Sequence, residues 1–386
     1  MRQALRIAIL AHSTNPRGGV VHALELGDAL CRLGHRPTVF APDAAGAGFF
    51  RDTVCATAAI AVAPAERNVT AMVETRIADY VRHFEAAKNR RFDVWHAQDG
   101  ISANALATLK QVRLIHGFAR TVHHVDTFAD AALHALELRA IKAADHLFVV
   151  SRLWQDWLKR ELARDAEWVG NGVDRRRFSP TFDGTDLELA ARLKLPRGVP
   201  IFLAVGGVEE RKNTIGLLRG FAALHVQCPS SLLVIAGGAS LLDHHTYQAA
   251  FTEALEHVRL PAGAVIRTGP LPQALMPALY RLATALVFPS TKEGFGLVVL
   301  EAMASGVPVI TSAIPPFTEY LSDDDVLWCD PFDTASIAAA MARSLDVSHR
   351  DRLIQRGMQV AERHDWTTTA RRHIAAYEAL REPLYA

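Results

Sequence analysis

Cysteine is scarce in this sequence, and its few copies are scattered. The four cysteines among 386 residues are Cys31, Cys55, Cys228 and Cys329. They form neither a Cys-x-x-Cys pair nor a spacing typical of zinc ligands. We therefore expect four reduced thiols in a cytoplasmic protein, rather than a disulfide scaffold or a zinc site.

The sequence also lacks an excess of either charge and a long apolar run. Its 42 Lys and Arg residues balance 41 Asp and Glu residues, and the net charge of +1 gives no general attraction to nucleic acid. The apolar run Leu5–Ala11 contains Arg6 and is too short for a signal-peptide core or a membrane span. We expect a soluble protein with at most peripheral membrane contact.

What the sequence does have is length and a repeated alternation of apolar strands with amphipathic helices. A chain of 386 residues is long enough for two domains with complete cores. The alternation is typical of α/β proteins with parallel sheets. A polar stretch at 176–198, which contains Pro180 and Pro196, is predicted to link the two domains.

The segment 285–310 is the most informative part of the chain. It predicts a buried strand at Ala285–Phe288, a turn at Ser290–Gly296, a helix at Leu297–Ala304 and a further strand from Pro308. Small residues at the start of a helix let backbone N–H groups approach a ligand, and that end of the helix favours an anion.

Two carboxylates accompany this turn. Glu293 precedes the glycines, and Glu301 lies in an otherwise apolar helix, where an unpaired carboxylate is costly. Either the hydroxyl pair of a sugar or a neighbouring Arg or Lys would satisfy Glu301. The spacing alone favours neither, since buried carboxylates are usually paired.

A Gly18-Gly19 pair follows the first predicted strand, in a loop at 12–20 before a helix predicted at His22–Leu33. Such a loop can hold a phosphate through backbone N–H groups, although most Gly-Gly pairs are simple turns. An NAD site would need G-x-G-x-x-G here and an acidic residue closing the second strand. The loop has only Gly18-Gly19 in place of that motif, and the second strand ends in Phe40-Ala41-Pro42-Asp43, so the pattern does not favour NAD binding.

His123, His124 and Asp126 follow another predicted strand, at the carboxyl end where open α/β sheets bind ligands. Three interpretations are open. These side chains ligate a metal, act on a substrate by acid–base chemistry or hydrogen bonding, or are structural polar residues at a domain edge.

A basic pair, Arg211-Lys212, follows Gly206-Gly207 at the end of the strand predicted at 200–205. Arginine and lysine at a glycine-rich strand end suit a diphosphate. Taken without context, however, the residues favour a solvated turn of Glu, Arg and Lys.

These segments resemble the retaining glycosyltransferases of family 4, which have the two-domain GT-B fold. The likeness is densest in Glu293-Gly294-Phe295-Gly296-Leu297 with Glu301, and extends to Thr121-Val122-His123 and to the Asn-Gly-Val-Asp run at 171–174. It covers nearly the whole chain. We therefore identify a nucleotide-sugar site by resemblance, without the identity of the sugar.

The resemblance implies a role for each matching residue. Glu293 and His123 would contact the donor sugar as catalytic residues, and Glu301 would hold the ribose hydroxyls. Lys212 matches the family's phosphate-binding lysine, whereas Gly207 occupies the place of its arginine. Arg211 is a candidate substitute for that charge, in which case Gly207→Arg should restore activity. The donor-binding residues are thus predicted to be Gly18, Gly19, Arg211, Lys212, Gly294, Phe295, Gly296, Leu297 and Glu301.

The resemblance also implies the domain plan. Two Rossmann-like domains would face a central cleft, with residues 1–175 on the acceptor side and 199–363 binding the nucleotide sugar. The final segment, 364–386, would cross back onto the first domain, and Trp366 matches an aromatic residue common at that crossing. Family members are usually metal-independent, so no metal or other cofactor is expected, and the Asp323-Asp324-Asp325 run is predicted to be solvated.

The sequence thus predicts a retaining glycosyltransferase that moves a sugar from a nucleoside diphosphate to an acceptor hydroxyl. No side chain is an obvious covalent nucleophile. Two alternatives stay open: a GT-B nucleotide-sugar epimerase and a non-catalytic nucleotide-sugar-binding protein. The acceptor, the sugar and the oligomeric state are not specified by any motif.

Overall fold

The chain folds into two compact units. The computed structural model describes residues 3–64, 68–126, 128–238 and 245–381. The first unit comprises the chain up to Gly172 together with the segment from Trp366, and the second comprises Val173–Asp365. Each unit has its own parallel sheet and its own buried apolar core.

The sheet of the first unit is parallel, and its strands lie in the order β3-β2-β1-β4-β5-β6-β7 within the described residues. Strand β1 pairs with β2 on one side and with β4 on the other, and it is an almost continuous apolar run because both of its faces are covered. The strands are β1 Arg6–Leu10, β2 Arg36–Asp43, β3 Ala56–Ala61, β4 Val94–Ala97, β5 Ala119–Val122, β6 His146–Val149 and β7 Glu167–Trp168.

Helices connect these strands and bury the two faces of the sheet. Their starts follow ordinary capping chemistry: Asp99 and Asp130 accept backbone N–H groups at the starts of α3 and α4. The helices are α1 Gly18–Arg32, α2 Val69–Glu85, α3 Gly100–Gln111, α4 Ala131–Ala143 and α5 Arg152–Leu162.

The second unit repeats this plan with strands in the order β10-β9-β8-β11-β12-β13, all parallel within the part of the chain that the structure describes. The strands are β8 Ile201–Val205, β9 Leu232–Ala236, β10 Val265–Gly269, β11 Ala285–Phe288, β12 Val309–Ser312 and β13 Leu327–Cys329. The helices are α6 Gly184–Arg192, α7 Thr214–His225, α8 His245–His257, α9 Met276–Arg281, α10 Leu297–Ala304, α11 Thr334–Arg343 and α12 Val347–Arg363.

The last helix, α13 Trp366–Leu380, belongs to the first unit, as the resemblance implied. Trp366 is buried and contacts His22 of α1 edge-on, with ring centroids 5.3 Å apart. Tyr377 is fully buried, and its hydroxyl is hydrogen-bonded at 2.7 Å to Nδ1 of His96 in β4. Residues 382–386 of the predicted returning segment lie outside the described residues.

The stretch 176–198 is not a linker, which corrects the sequence-based prediction. It packs within the second unit, where α6 contacts α9. Arg281 of α9 donates two hydrogen bonds of 2.9 Å to Asp186, and both side chains are almost fully buried. Charged residues that suggested a linker therefore belong to a capped helix held by a buried ion pair, and Pro180 and Pro196 lie on either side of that helix.

No described helix is long and apolar enough to cross a membrane.

Candidate functional site

Three charged side chains form a cluster in the second unit at the carboxyl ends of the adjacent strands β8 and β11, and we call Arg211, Lys212 and Glu293 the charged cluster. Oε1 of Glu293 accepts hydrogen bonds from Nζ of Lys212 at 2.5 Å and from a guanidinium nitrogen of Arg211 at 3.0 Å. The side chains of Glu293, Lys212 and Arg211 are 7%, 12% and 48% exposed. Arg211 and Glu293, 82 positions apart in the sequence, therefore contact each other at the strand ends where α/β sheets bind ligands.

The charges of this cluster stabilise one another. Burial raises the pKa of Glu293, but Lys212 and Arg211 outweigh it and hold that pKa below its ordinary value. Burial lowers the pKa of Lys212, and the carboxylate of Glu293 opposes this change. The ammonium of Lys212 also lies 4.2 Å from the ring centroid of Phe288 at the end of β11. We infer that Glu293 is ionised at neutral pH.

In the turn before α10, no side chain makes a capping hydrogen bond to the backbone N–H groups at the start of the helix. Phe295 is buried and stacks on Tyr320 with ring centroids 4.7 Å apart, so this ring is a structural contact. Gly296 has φ +93°, and a Cβ there would lie 2.5 Å from the ring of Phe317. The ring of Phe317 therefore leaves no room for a side chain at this position. That Gly296 also binds the donor stays a prediction. No side chain caps α10, which begins at Leu297 beyond Gly294 and Gly296.

Glu301 meets a tyrosine, not a cation. Its Oε2 accepts a hydrogen bond of 2.7 Å from the hydroxyl of Tyr280 in α9. Within the described residues we find neither an ion pair to Glu301 nor a second hydrogen bond to its carboxylate. Burial raises the pKa of Glu301, and Tyr280 and the more distant charge of Arg177 oppose that rise. Of the two explanations left open by the sequence, the structural salt bridge is therefore disfavoured.

Gly207, which stands in place of the family's arginine, cannot accept a side chain without strain. Its φ is +76°, and a Cβ there would lie 2.6 Å from the carbonyl oxygen of Gly238. The expectation that Gly207→Arg restores activity is therefore wrong on steric grounds. Arg211 does bring a guanidinium to the cluster, where its Nε also pairs with Glu209 at 3.2 Å.

In the first unit the carboxyl ends of the strands meet a cluster of imidazoles instead. We call His22, His96, His123 and His373 the histidine cluster. The rings of His22 and His123 lie 4.8 Å apart edge-on, and those of His96 and His373 lie 5.5 Å apart. His123 Nε2 lies 3.0 Å from Oε1 of Gln98, so the ring nitrogen donates to the amide oxygen.

These histidines are neutral because they are buried. Burial lowers the pKa of His22 to about 4 and that of His373 to about 3. Burial, followed by the neighbouring histidines, also lowers the pKa of His96 and His123 well below the ordinary value. At neutral pH this cluster presents hydrogen-bonding groups without a positive charge.

The predicted glycine loop is the start of a helix. Gly18 and Gly19 are the first two residues of α1, four positions earlier than the predicted helix start. A Cβ at Gly19 would lie 3.4 Å from the ring of His123, whereas one at Gly18 would meet nothing within 4 Å. The structure thus brings Gly19 and His123 together. Neither an acidic residue nor a side-chain cap occupies this end of α1.

The metal interpretation of His124 and Asp126 gains no geometric support. These exposed side chains pair with each other at 3.1 Å, and the part of the chain that the structure describes contains no group of three His, Cys, Asp or Glu side chains able to hold an ion. The aspartates at 323–325 each have separate partners: Trp328 for Asp323, Arg352 for Asp324, and Ser322 with Arg356 for Asp325. Asp325 is buried, which corrects its prediction as solvated.

Sequence reasoning missed three side chains that contact the predicted site residues: Gln98, which bonds His123; His22, which packs on it; and Tyr280, which bonds Glu301. Gln98 gave some signal because it follows a buried strand directly. Tyr280 and His22 gave no such signal. In the sequence, a tyrosine at the end of a short helix and a histidine within an apolar helix look like ordinary core residues.

Comparison with known families agrees with this geometry. A profile described as "Glycosyl transferases group 1" matches residues 187–360, and one described as "Glycosyltransferase Family 4" matches residues 16–177. The chain is 33% identical over 180 residues to O-antigen chain mannosyltransferase B of Escherichia coli, covering 46% of this chain and 45% of that protein. It is 29% identical over 312 residues to glycogen synthase of Mycobacterium tuberculosis, covering 76% and 71%.

Solved structures share the fold over almost the whole chain. Sucrose-phosphate synthase from Thermosynechococcus elongatus superposes with a TM-score of 0.80 at 23% identity, covering 97% of this chain and 99% of that one. HepE from Anabaena, in complex with UDP and glucose, gives 0.78 at 16% identity, covering 97% and 100%. The two family profiles and this GT-B fold lead to one conclusion: the chain belongs to the group 1 glycosyl transferases of glycosyltransferase family 4.

Proposed function

We propose that this protein is a retaining glycosyltransferase that uses a nucleoside diphosphate sugar and an acceptor hydroxyl. The observation that carries the proposal is the charged cluster beside the uncapped start of α10. A departing diphosphate gains negative charge, and two cations already fixed at a strand end would stabilise that charge without reorganising. The carboxylate of Glu293 is paired with Lys212 and Arg211, and in this place it would accept a hydrogen bond from a sugar hydroxyl.

The reaction we propose follows the family resemblance. The bond between the anomeric carbon and the diphosphate oxygen breaks, and a bond to the acceptor oxygen forms on the same face. The acceptor's proton passes to the leaving diphosphate. For the second unit we propose that Lys212 and Arg211 contact phosphate and that Glu301 binds ribose. For the first unit we propose that neutral His123 bonds a sugar hydroxyl and that the start of α1 at Gly18 and Gly19 binds phosphate.

The test is a thermal-shift panel of UDP, GDP and ADP sugars, since ligands that bind the folded state raise its melting temperature. HepE was solved with UDP and glucose, which makes UDP-glucose the first donor to examine. The stabilising donor is then incubated with crude acceptor extract. Transfer of the sugar to an extract component with retained configuration supports the proposal. A new nucleotide sugar formed without acceptor would indicate an epimerase instead, and stabilisation without turnover would indicate a binding protein.

A further inference from the structure

We infer that Tyr280 is a positioning residue for nucleotide recognition and that it acts through Glu301. The inference rests on the proposed function, because it assigns ribose to Glu301. It adds a side chain that never contacts the nucleotide itself. The hydrogen bond of 2.7 Å between the two side chains carries it.

Tyr280 is held more firmly than the carboxylate it contacts. Its side chain is fully buried, and its ring lies edge-on to Phe178 with centroids 5.8 Å apart. Tyr280 lies in α9, and the next residue, Arg281, is hydrogen-bonded to Asp186 of α6. Burial, followed by the charge of Glu301, raises the pKa of Tyr280 well above its ordinary value, so the hydroxyl keeps its proton and remains a donor.

The hydroxyl therefore determines where the carboxylate points. Glu301 is half-buried on α10, and a glutamate there has several rotamers of similar energy when nothing holds it. Because Tyr280 takes Oε2, the plane of the carboxylate is fixed and Oε1 is left as its unbonded oxygen within the described residues. A carboxylate that is already held in one orientation loses little conformational entropy when it binds a vicinal diol.

This role differs from that of an ordinary core hydroxyl, and the chain contains a matched control. Tyr80 of the first unit is equally buried, and its hydroxyl lies within hydrogen-bond distance of the carbonyls of Ala11 at 2.6 Å and Phe40 at 3.0 Å rather than of a carboxylate. Tyr80→Phe and Tyr280→Phe each remove one buried hydroxyl. Only the second should change how the protein distinguishes a ribose from a deoxyribose.

The experiment measures the affinity of UDP, GDP and ADP, and of their 2′,3′-dideoxy counterparts, by calorimetric titration of the full chain. We expect wild type to bind at least one ribonucleotide about tenfold or more tightly than its dideoxy form, since polar groups left unpaired cost affinity. Tyr280→Phe should lose about tenfold for the ribonucleotide and change less than about twofold for the dideoxy form. Glu301→Ala should abolish the preference.

A double variant separates positioning from general damage to the fold. In the Glu301→Ala background, Tyr280→Phe should have no further effect on ribonucleotide affinity, because the group through which it acts is gone. Equal losses for ribonucleotide and dideoxy nucleotide in Tyr280→Phe, with a melting temperature lowered as in Tyr80→Phe, would reduce Tyr280 to a structural residue. An unchanged ribose preference in Tyr280→Phe would also overturn the inference, while the proposed function would stand. If wild type binds none of the three diphosphates, the proposed function itself fails.

Discussion

The two units have the same architecture but opposite chemistry at the carboxyl ends of their strands. The second unit places the carboxylate of Glu293 against two basic side chains, and their charges hold its pKa below the ordinary value. The first unit buries four imidazoles against one another, so every member of the histidine cluster is neutral. A diphosphate leaving group is stabilised by fixed positive charge. A sugar hydroxyl is bound by a neutral hydrogen-bonding group, which does not compete for the negatively charged diphosphate. The same arrangement of strands and helices therefore presents different chemistry in the two units.

The same physical cause, burial, produces both outcomes. In the second unit, burial lowers the pKa of Lys212, and Glu293, 2.5 Å away, opposes this change. In the first unit no carboxylate opposes burial among the causes given for His96, and neighbouring histidines lower its pKa further. Whether a buried group keeps its charge is thus decided by the sign of its neighbours.

The largest expected effect is that of Lys212→Ala. Removing a fixed ammonium from beside developing charge should lower turnover about a hundredfold or more, the scale for one preorganised donor, while donor affinity falls less. Steady-state kinetics with the identified donor measure both. Lys159→Ala is the control, since it breaks an exposed ion pair of 2.6 Å in the first unit and should leave turnover unchanged. Normal turnover in Lys212→Ala would mean that the diphosphate does not bind at this strand end.

The next effect concerns the stability of the first unit in acid. The folded pKa of His373, about 3, lies below the value near 6.5 expected in the unfolded chain. The unfolded chain therefore binds protons first as pH falls, and the stability contribution of the neutral form, complete above pH ~6.5, is progressively lost down to pH ~3. Between pH 7 and pH 5 we expect His373 alone to account for about 2 kcal/mol of lost stability.

Urea unfolding of His373→Gln at both pH values measures this contribution. The variant should lose less stability on acidification than wild type, by about that amount. An identical pH dependence in His373→Gln would show that this imidazole is not held neutral by the fold.

Arg211→Ala should have a smaller effect than Lys212→Ala. The guanidinium is 48% exposed and shares its contacts between Glu293 and Glu209, so solvent screens much of its charge. We expect turnover to fall about fivefold at most, the equivalent of an exposed ion pair. A loss as large as that of Lys212→Ala would show that Arg211 replaces the family's arginine fully. Gly207→Arg is expected to destabilise the fold, whichever outcome is found for Arg211.

The smallest expected effect is that of metal removal. Turnover should be unchanged after EDTA treatment, because we assign the charge neutralisation to Lys212, Arg211 and the backbone amides at the start of α10. The assay compares rates before and after chelation and after addition of magnesium or manganese. Loss of turnover with EDTA, restored by either ion, would return His124 and Asp126 to consideration as ligands.

How much of this could be predicted from the sequence depends on the range of the interaction. The strand, turn and helix around Glu293 are local patterns, and α10 has the predicted limits of Leu297 and Ala304. The start of α1 was misplaced because glycine is a poor helix former, yet here it occupies the first turn, where little helix propensity is needed. Helix α6 was not predicted because its segment is rich in charges and is flanked by prolines. Its Asp186 is paired with Arg281, which lies 95 residues further along the chain.

The site shows the same limit. The resemblance named Glu293, Lys212 and Glu301 as donor-site residues, which stays a prediction. It did not indicate that Glu293 contacts Lys212 or that Glu301 contacts Tyr280. Tyr280 and His22 act through side-chain contacts across the fold, and a single sequence carries no pattern for such contacts. The reason for Gly296 was also inaccessible, because it depends on the ring of Phe317, 21 residues further along the chain.

The most direct test of the central claim is hydrogen exchange of the full chain with and without the nucleoside diphosphate that raises its melting temperature. The claim is that the charged cluster and the start of α10 bind that diphosphate. We expect the amides at 209–213 and 293–301 to exchange more slowly when the nucleotide is bound, since their local opening is suppressed. A nucleotide that raises the melting temperature without slowing exchange in either segment would contradict this account of the second unit.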